Sequence, residues 1–150
     1  MNKQTVVVEA EYPVPAEKVW KALTDTEQMK QWYFDLDDFR AEPGFEFRFT
    51  GEGSQGDTYV HICRVTEAIP NKKLGYTWSY ENMEGESHVL FELFETGNGT
   101  RLKLTHEGLE TFSQHHPDFR KESFEGGWKD LIPVLLRNFL MNQETMSGKQ

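Results

Sequence analysis

The longest patterned stretch of the chain covers residues 123–142, where apolar residues recur at steps of three and four. On a 3.6-residue period this spacing predicts one α-helix with a broad apolar stripe, and Ser123 is placed to cap its first turn. Gly126, Gly127 and Pro133 are unusual inside such a helix, because glycine weakens a helix and proline donates no backbone hydrogen bond. The stripe consists of Phe124, Trp128, Leu131, Ile132, Leu135 and Phe139.

These irregular positions leave two explanations open. The glycines could let the helix backbone pack closely on a sheet, with a tolerated kink near Pro133. Alternatively, a helix that bends near Pro133 could form one wall of a hollow. The hydrophobic pattern of the helix does not choose between the two explanations.

Strict alternation of apolar and polar residues predicts that residues 5–12 form a half-buried β-strand. Prolines end this strand, and two short helices are predicted to follow at residues 15–23 and 27–32. Residues 33–43 have no clean period and predict a loop. Alternation between turn residues predicts about five more strands, at residues 45–50, 57–66, 74–80, 88–95 and 100–107.

The strand at residues 57–66 has apolar groups on both faces. We assign the face of Tyr59 and His61 to the interior, because the other face carries Arg64, which is costly to bury unpaired. A polar stretch at residues 108–122 connects the last strand to the C-terminal helix. The order of elements favours an α+β fold, in which a continuous antiparallel sheet curls around the long helix.

Length and composition predict a single domain over residues 1–150, with a core at about residues 5–142. The formal net charge of -9 disfavours nucleic acid and anionic lipid as partners. No apolar stretch approaches the roughly 20 residues that cross a bilayer, so we expect no membrane insertion. One cysteine and no secretory pattern favour a reducing compartment, which we expect to be the cytoplasm. The oligomeric state stays open.

A series of short motifs runs through the chain. They are PAEKVW at 15–20, ALTD at 22–25, Trp32, PGF at 43–45, LGYTW at 74–78, GTRL at 99–102, HEGL at 106–109 and GGW at 126–128. In order and spacing these motifs resemble the START-like, helix-grip superfamily, and within it the group named after the activator of the heat-shock protein 90 ATPase. The resemblance covers about residues 6–140 and is specific for fold, not for activity.

The resemblance implies a curved antiparallel sheet of about six to seven strands that grips the C-terminal helix, with two short helices between the first two strands. It also implies a cavity between sheet and helix, which in many relatives holds an apolar or amphipathic small molecule. Of the two explanations for the irregular helix, the resemblance therefore favours the wall of a hollow.

Motifs of common enzyme chemistry are mostly missing. The sequence has no phosphate-binding loop, no Cys-x-x-Cys pair, no His-Glu-x-x-His and no Gly-x-Ser-x-Gly. His115 and His116 are adjacent, so their side chains would diverge rather than share a metal. The acidic run at residues 35–38 lacks the spacing of a calcium loop. Cys63, two positions from His61, is interpreted as a buried hydrophobe rather than a nucleophile. We predict no metal and no cofactor.

Aromatic and histidine side chains recur on the interior faces of the predicted strands. A binding cavity typically has apolar walls and a few placed polar groups, and these side chains fit that description. The same side chains could instead satisfy one another in a filled core. The candidate ligand-binding residues are Trp32, Tyr59, His61, Tyr76, Trp78, Tyr80, His106 and Trp128.

Three functional hypotheses follow. The first is a non-enzymatic carrier or sensor that binds a small hydrophobic or amphipathic ligand between the sheet and the helix. The second, implied by the family resemblance, is an interaction module that stimulates a chaperone ATPase. The third is an enzyme that uses His61 or His106 as a general acid or base, since histidine titrates near pH ~6.5.

Overall fold

The computed structural model describes residues 4–34, 36, 38–52, 56–112 and 117–148. The strands and helices of this part of the chain are β1 (Thr5–Tyr12), α1 (Ala16–Thr24), α2 (Thr26–Trp32), β2 (Glu46–Glu52), β3 (Thr58–Ile69), β4 (Lys73–Tyr80), β5 (Ser87–Thr96), β6 (Gly99–Glu107), α3 (Lys121–Asp130) and α4 (Arg137–Gly148). Two 3₁₀ turns, Leu109–Thr111 and Pro117–Phe119, precede α3, and a π-helical segment, Leu131–Leu136, joins α3 to α4.

The six described strands form one curved antiparallel sheet in the order β1-β6-β5-β4-β3-β2. The N-terminal strand β1 therefore closes one edge by pairing with β6, from Thr5 opposite Glu107 to Tyr12 opposite Thr100. The β3–β4 register shifts after Val65, and such a bulge increases local twist and helps the sheet to curl. The predicted α+β helix-grip fold is confirmed.

The inner face of the sheet carries the predicted alternation. In β4, every second residue from Leu74 to Tyr80 has a large side chain that is at most 7% exposed. In β3, His61 and Val65 are buried while Arg64 is exposed, which confirms the face assigned to the interior. Period-two burial of this kind fixes the register, since a slip of one residue would bury the charged positions.

The C-terminal helix differs from the prediction in its start and in its register. It begins at Lys121 with no side-chain cap, so the predicted cap at Ser123 is wrong. Around Pro133, which donates no backbone hydrogen bond, the helix takes π geometry and fits an extra residue into the turn. The buried position consequently moves from Leu135, which is 45% exposed, to Leu136, which is fully buried.

Tyr12 ties this irregular segment to the sheet. Its buried hydroxyl donates to the backbone carbonyl of Ile132 at 2.6 Å. A π segment departs from the regular ladder of helix hydrogen bonds, so its carbonyls are natural acceptors for a side chain. The edge strand β1 thus holds the helix where its geometry changes.

The connection at residues 108–122 is more than the polar link that was predicted. Leu109, Phe112 and Phe119 are buried in the core. Their steps of three and seven residues would fit one face of a helix, but the polar residues that dominate the stretch hide this spacing. The two 3₁₀ turns fold these side chains onto the inner face of the sheet.

Gly126 and Gly127 do not pack closely on the sheet. Among the described residues, a Cβ atom placed on either glycine would meet no other heavy atom within 4 Å. The close-packing explanation for the two glycines is therefore wrong. The space beside Gly127 belongs to the cavity described next.

Candidate functional site

A cavity of about 260 Å³ lies between the inner face of the sheet and α3. Strands β2, β3 and β4 supply one wall, and α3 with the preceding 3₁₀ turn supplies the other. The volume is just below the roughly 300–1,000 Å³ common for ligand pockets, which suits a compact ligand. The described lining residues are Phe34, Gly51, Glu52, Tyr59, His61, Trp78, Tyr80, Asp118, Phe119, Ser123, Phe124, Gly127, Trp128 and Leu131.

Five of the eight predicted ligand-binding residues line this cavity. Tyr59 and His61 come from β3, Trp78 and Tyr80 come from β4, and Trp128 comes from α3. Alternate residues of neighbouring strands point to the same face, which is why the sequence pattern could find the four strand residues. Their contact with a ligand stays a prediction.

The other three predicted residues, among them His106, lie in the packed core and do not line the cavity. Nε1 of Trp32 donates to the carbonyl of Ala22 at 2.9 Å. The hydroxyl of Tyr76 pairs with that of Tyr33 at 2.7 Å, and burial raises the pKa of both tyrosines well above the usual value. Each of these polar side chains has a protein partner, as in the filled-core interpretation.

His106 is the centre of a buried hydrogen-bonded chain. Its Nδ1 accepts from Nε1 of Trp128 at 3.0 Å, and its Nε2 donates to Oγ of Ser87 at 2.7 Å. Ser87 in turn donates to the carbonyl of Trp78 at 2.9 Å. An indole nitrogen can only donate, so this geometry assigns the neutral tautomer with its proton on Nε2. Burial, and secondarily the charge of His88, lowers the pKa of His106 to about 3.

His61 forms part of the cavity wall. Its ring stacks on Phe49 with centroids 4.4 Å apart, and its Nδ1 donates to the carbonyl of Phe49 at 3.3 Å. With the proton on Nδ1, the Nε2 atom carries a lone pair that can accept a hydrogen bond. Burial lowers the pKa of His61 to about 4, against an opposing effect of backbone hydrogen bonds. The ring is therefore neutral near pH 7.

Two tyrosines, two carboxylates and the hydroxyl of Ser123 complete the polar part of the described lining. The hydroxyl of Tyr59 donates to Oδ2 of Asp118 at 3.0 Å, and desolvation together with this carboxylate raises the pKa of Tyr59 to about 12. The hydroxyl of Tyr80 accepts from Nε1 of Trp78 at 2.9 Å. Glu52 is exposed at the end of β2 and forms part of the cavity rim.

Sequence reasoning missed the lining residues that come from irregular segments. Phe34 follows α2 in a stretch without a period, and Asp118 and Phe119 lie in the 3₁₀ turn before α3. Which part of the fold such residues contact depends on the path of the chain, not on a local pattern. One signal was present in the sequence: Gly127 interrupts a helix that otherwise favours large side chains, and it faces the hollow.

The other chemical candidates give no site in the described residues. Burial raises the pKa of the Cys63 thiol well above its usual value, so the thiol stays protonated. Asp35, Asp37, His115 and His116 lie outside the described residues. Within the described ranges no three His, Cys, Asp or Glu side chains are grouped to hold a metal ion. In that part of the chain, no helix is long and apolar enough to span a membrane.

A curved antiparallel sheet that grips a long C-terminal helix defines the helix-grip class of START-like proteins. A sequence model of the family described as activator of Hsp90 ATPase homolog 1-like protein matches residues 13–139. The chain belongs to this family. The resemblance drawn from the short motifs is thereby confirmed.

Solved structures share the fold. Protein MLL2253 from Mesorhizobium loti is 30% identical with a TM-score of 0.74, and the match covers 93% of this chain and 98% of that one. Protein CV1439 from Chromobacterium violaceum is 18% identical with a TM-score of 0.77, over 91% and 96% of the two chains. CalU16 from Micromonospora echinospora is 24% identical with a TM-score of 0.71, over 95% and 79%. A comparison with the curated proteins finds no match.

Proposed function

We propose that this protein is a non-enzymatic carrier or sensor that binds a small hydrophobic or amphipathic molecule in the cavity between the sheet and α3. The observation that carries the proposal is a hollow of about 260 Å³ walled by aromatic rings, with a few polar groups at defined positions. Such a composition is typical of small-molecule sites. The whole chain would act as one binding domain.

The aromatic walls support an apolar ligand in particular. Trp78 and Trp128 lie with ring centroids 5.8 Å apart, and both line the cavity. Both indole N–H groups already donate within the protein, to Tyr80 and to His106 respectively. The rings therefore offer apolar surface rather than free donors, and burying that surface against a ligand contributes roughly 25 cal/mol per Å².

The two histidines give less support to catalysis. Both ring nitrogens of His106 are occupied by protein partners, and its side chain is fully buried. His61 lines the cavity, but a pKa of about 4 makes it a weak base near pH 7. We therefore assign His61 the role of a neutral hydrogen-bond acceptor for the ligand.

The test uses two adjacent glycines as a matched pair. Gly127 lines the cavity and Gly126 does not, while both occupy α3 and both have room for a Cβ atom. We expect Gly127→Phe to fill the hollow and to abolish binding of the neutral fluorescent probe N-phenylnaphthylamine. Gly126→Phe should bind the probe like the wild type. Native mass spectrometry of wild-type protein made in cells should also show a bound small molecule that Gly127→Phe lacks.

Two results would overturn the proposal. One is wild-type protein that carries no small molecule and does not enhance the fluorescence of the probe. The other is equal probe binding by both glycine variants, which would place the binding site elsewhere. Circular dichroism of each variant verifies that the comparison is made between folded proteins.

A second candidate function is stimulation of a chaperone ATPase, and the family description favours it. The measurement is the ATPase rate of the heat-shock protein 90 of the same organism, with and without added protein. A rate that does not change removes this candidate. If the rate rises, a comparison of Gly127→Phe with Gly126→Phe tells whether the cavity takes part, because both glycines are exposed and only Gly127 lines the hollow.

A further inference from the structure

The charged groups that line the cavity have one sign. Glu52 and Asp118 are carboxylates, and among the described lining residues there is no lysine or arginine. His61 is neutral near pH 7, and its Nε2 offers a lone pair rather than a proton. The proton of the Tyr59 hydroxyl is directed to Asp118. A ligand inside the cavity would therefore meet negative charge and hydrogen-bond acceptors, with the hydroxyl groups of Tyr80 and Ser123 as donors beside them.

Aromatic rings form much of the cavity wall. Tyr59 and Tyr80 pack edge to face on Phe119, with ring centroids 5.1 and 4.9 Å apart. Trp78 and Trp128 are inclined at 60° to each other. The faces of aromatic rings attract cations, and the attraction grows when water is excluded. Several aromatic rings around one hollow match the composition of the cages that bind alkylammonium groups.

From the lining and the walls together we infer that the cavity selects amphipathic ligands with a cationic, amine-type head over ligands with a carboxylate head, an inference that rests on the proposed ligand-binding function. The apolar body of the ligand would lie against Trp78 and Trp128. The ammonium group would lie near Asp118, where it can donate to the carboxylate. A carboxylate head would instead meet like charge, which disfavours it.

The test compares three probes of similar size that differ in the head group: hexylamine, hexanol and hexanoate. Binding to the wild-type protein is measured near neutral pH by calorimetry, with the indole N–H signals of the tryptophans followed by NMR to locate the site. We expect protonated hexylamine to bind about tenfold more tightly than hexanoate, with hexanol between them. High salt should weaken the preference.

Substitutions separate charge from fold. Asp118→Asn should lower the ratio of hexylamine affinity to hexanol affinity about fivefold, because only the ammonium head loses an attraction between opposite charges. Tyr59→Phe removes the hydrogen bond to Asp118 but keeps its charge, so it should retain the preference for hexylamine. Glu95→Gln removes a carboxylate that does not line the cavity, and it serves as the matched control.

The possible outcomes distinguish this inference from the function on which it rests. Equal or tighter binding of hexanoate, or an Asp118→Asn variant that keeps the full preference, would overturn the charge preference while hexanol binding still upheld the ligand site. If no probe binds, N-phenylnaphthylamine included, the proposed function fails and this inference fails with it.

Discussion

His61 and His106 point to the same inner face of the sheet, yet they lie in different surroundings. Around His106 the helix α3 supplies the indole of Trp128, and a chain of hydrogen bonds occupies both ring nitrogens. His61 instead lines the cavity together with Gly127, the helix residue before Trp128, which supplies no side chain. The comparison shows that the facing helix decides the role of a polar residue on the inner face of the sheet. Where the helix supplies a side chain the residue is part of the packed core, and where it supplies none the residue lines a cavity.

Acidification gives the largest effect that this comparison predicts. The pKa values of His61 and His106 are lowered to about 4 and about 3, below the 6.5 of an ordinary histidine. The unfolded chain therefore takes up protons first, so the stability from the neutral rings is complete above about pH 6.5 and is lost as the pH falls toward these values. Between about pH 7 and pH 5 we expect each histidine to account for a loss of order 2 kcal/mol.

Urea unfolding at several pH values measures this loss. His61→Gln and His106→Gln should each remove about half of the histidine-linked pH dependence. A pH dependence that neither substitution reduces would contradict the burial of both rings in the neutral form.

Removal of each side chain separates the two surroundings. His106→Ala leaves Nε1 of Trp128 without an acceptor and removes the donor to Oγ of Ser87 in the core, and we expect a loss of about 3 kcal/mol in the free energy of unfolding. His61→Ala enlarges an existing cavity and should destabilise the protein by about 1.5 kcal/mol. Equal losses in urea unfolding would mean that the two histidines are equally integrated, and the comparison would fail.

Substitution of the two helix glycines gives the smallest effect on stability. The informative result is whether the free energy of unfolding rises or falls. Gly126→Ala and Gly127→Ala should each raise the free energy of unfolding by about 0.5–1 kcal/mol, because alanine is the better helix former and a Cβ atom has room at both positions. Thermal unfolding followed by circular dichroism is sufficient for this measurement. A loss of stability at either position would revive the close packing that the structure contradicts.

The candidate site was only partly accessible to sequence reasoning. Tyr59, His61, Trp78 and Tyr80 were found because strand alternation places them on one face. Trp32 and Tyr76 are also large aromatic residues with apolar neighbours in the sequence, but they pack in the core. Hydrogen bonds do not separate the two groups, since Trp32 in the core and Trp78 in the cavity wall both donate within the protein. What the facing elements supply decides whether such a residue is core or cavity wall.

The C-terminal helix shows a second limit. The spacing of apolar residues alone predicted the helix and its apolar stripe. That Leu136 rather than Leu135 is buried depended on the π segment around Pro133. A regular period cannot anticipate an inserted residue. The buried aromatic residues of the linker, Phe112 and Phe119, were missed for a different reason, because the stretch that carries them is dominated by polar residues.

The sequence by itself determined the order of the elements, the inward faces of the strands and the family to which the chain belongs, because these depend on residue type and on local periodicity. The tertiary structure alone decided where sheet and helix separate, which polar groups are satisfied and which residues surround the hollow. Those properties depend on contacts between segments that lie far apart in the chain, as Tyr12 and Ile132 do, and no local pattern records such contacts.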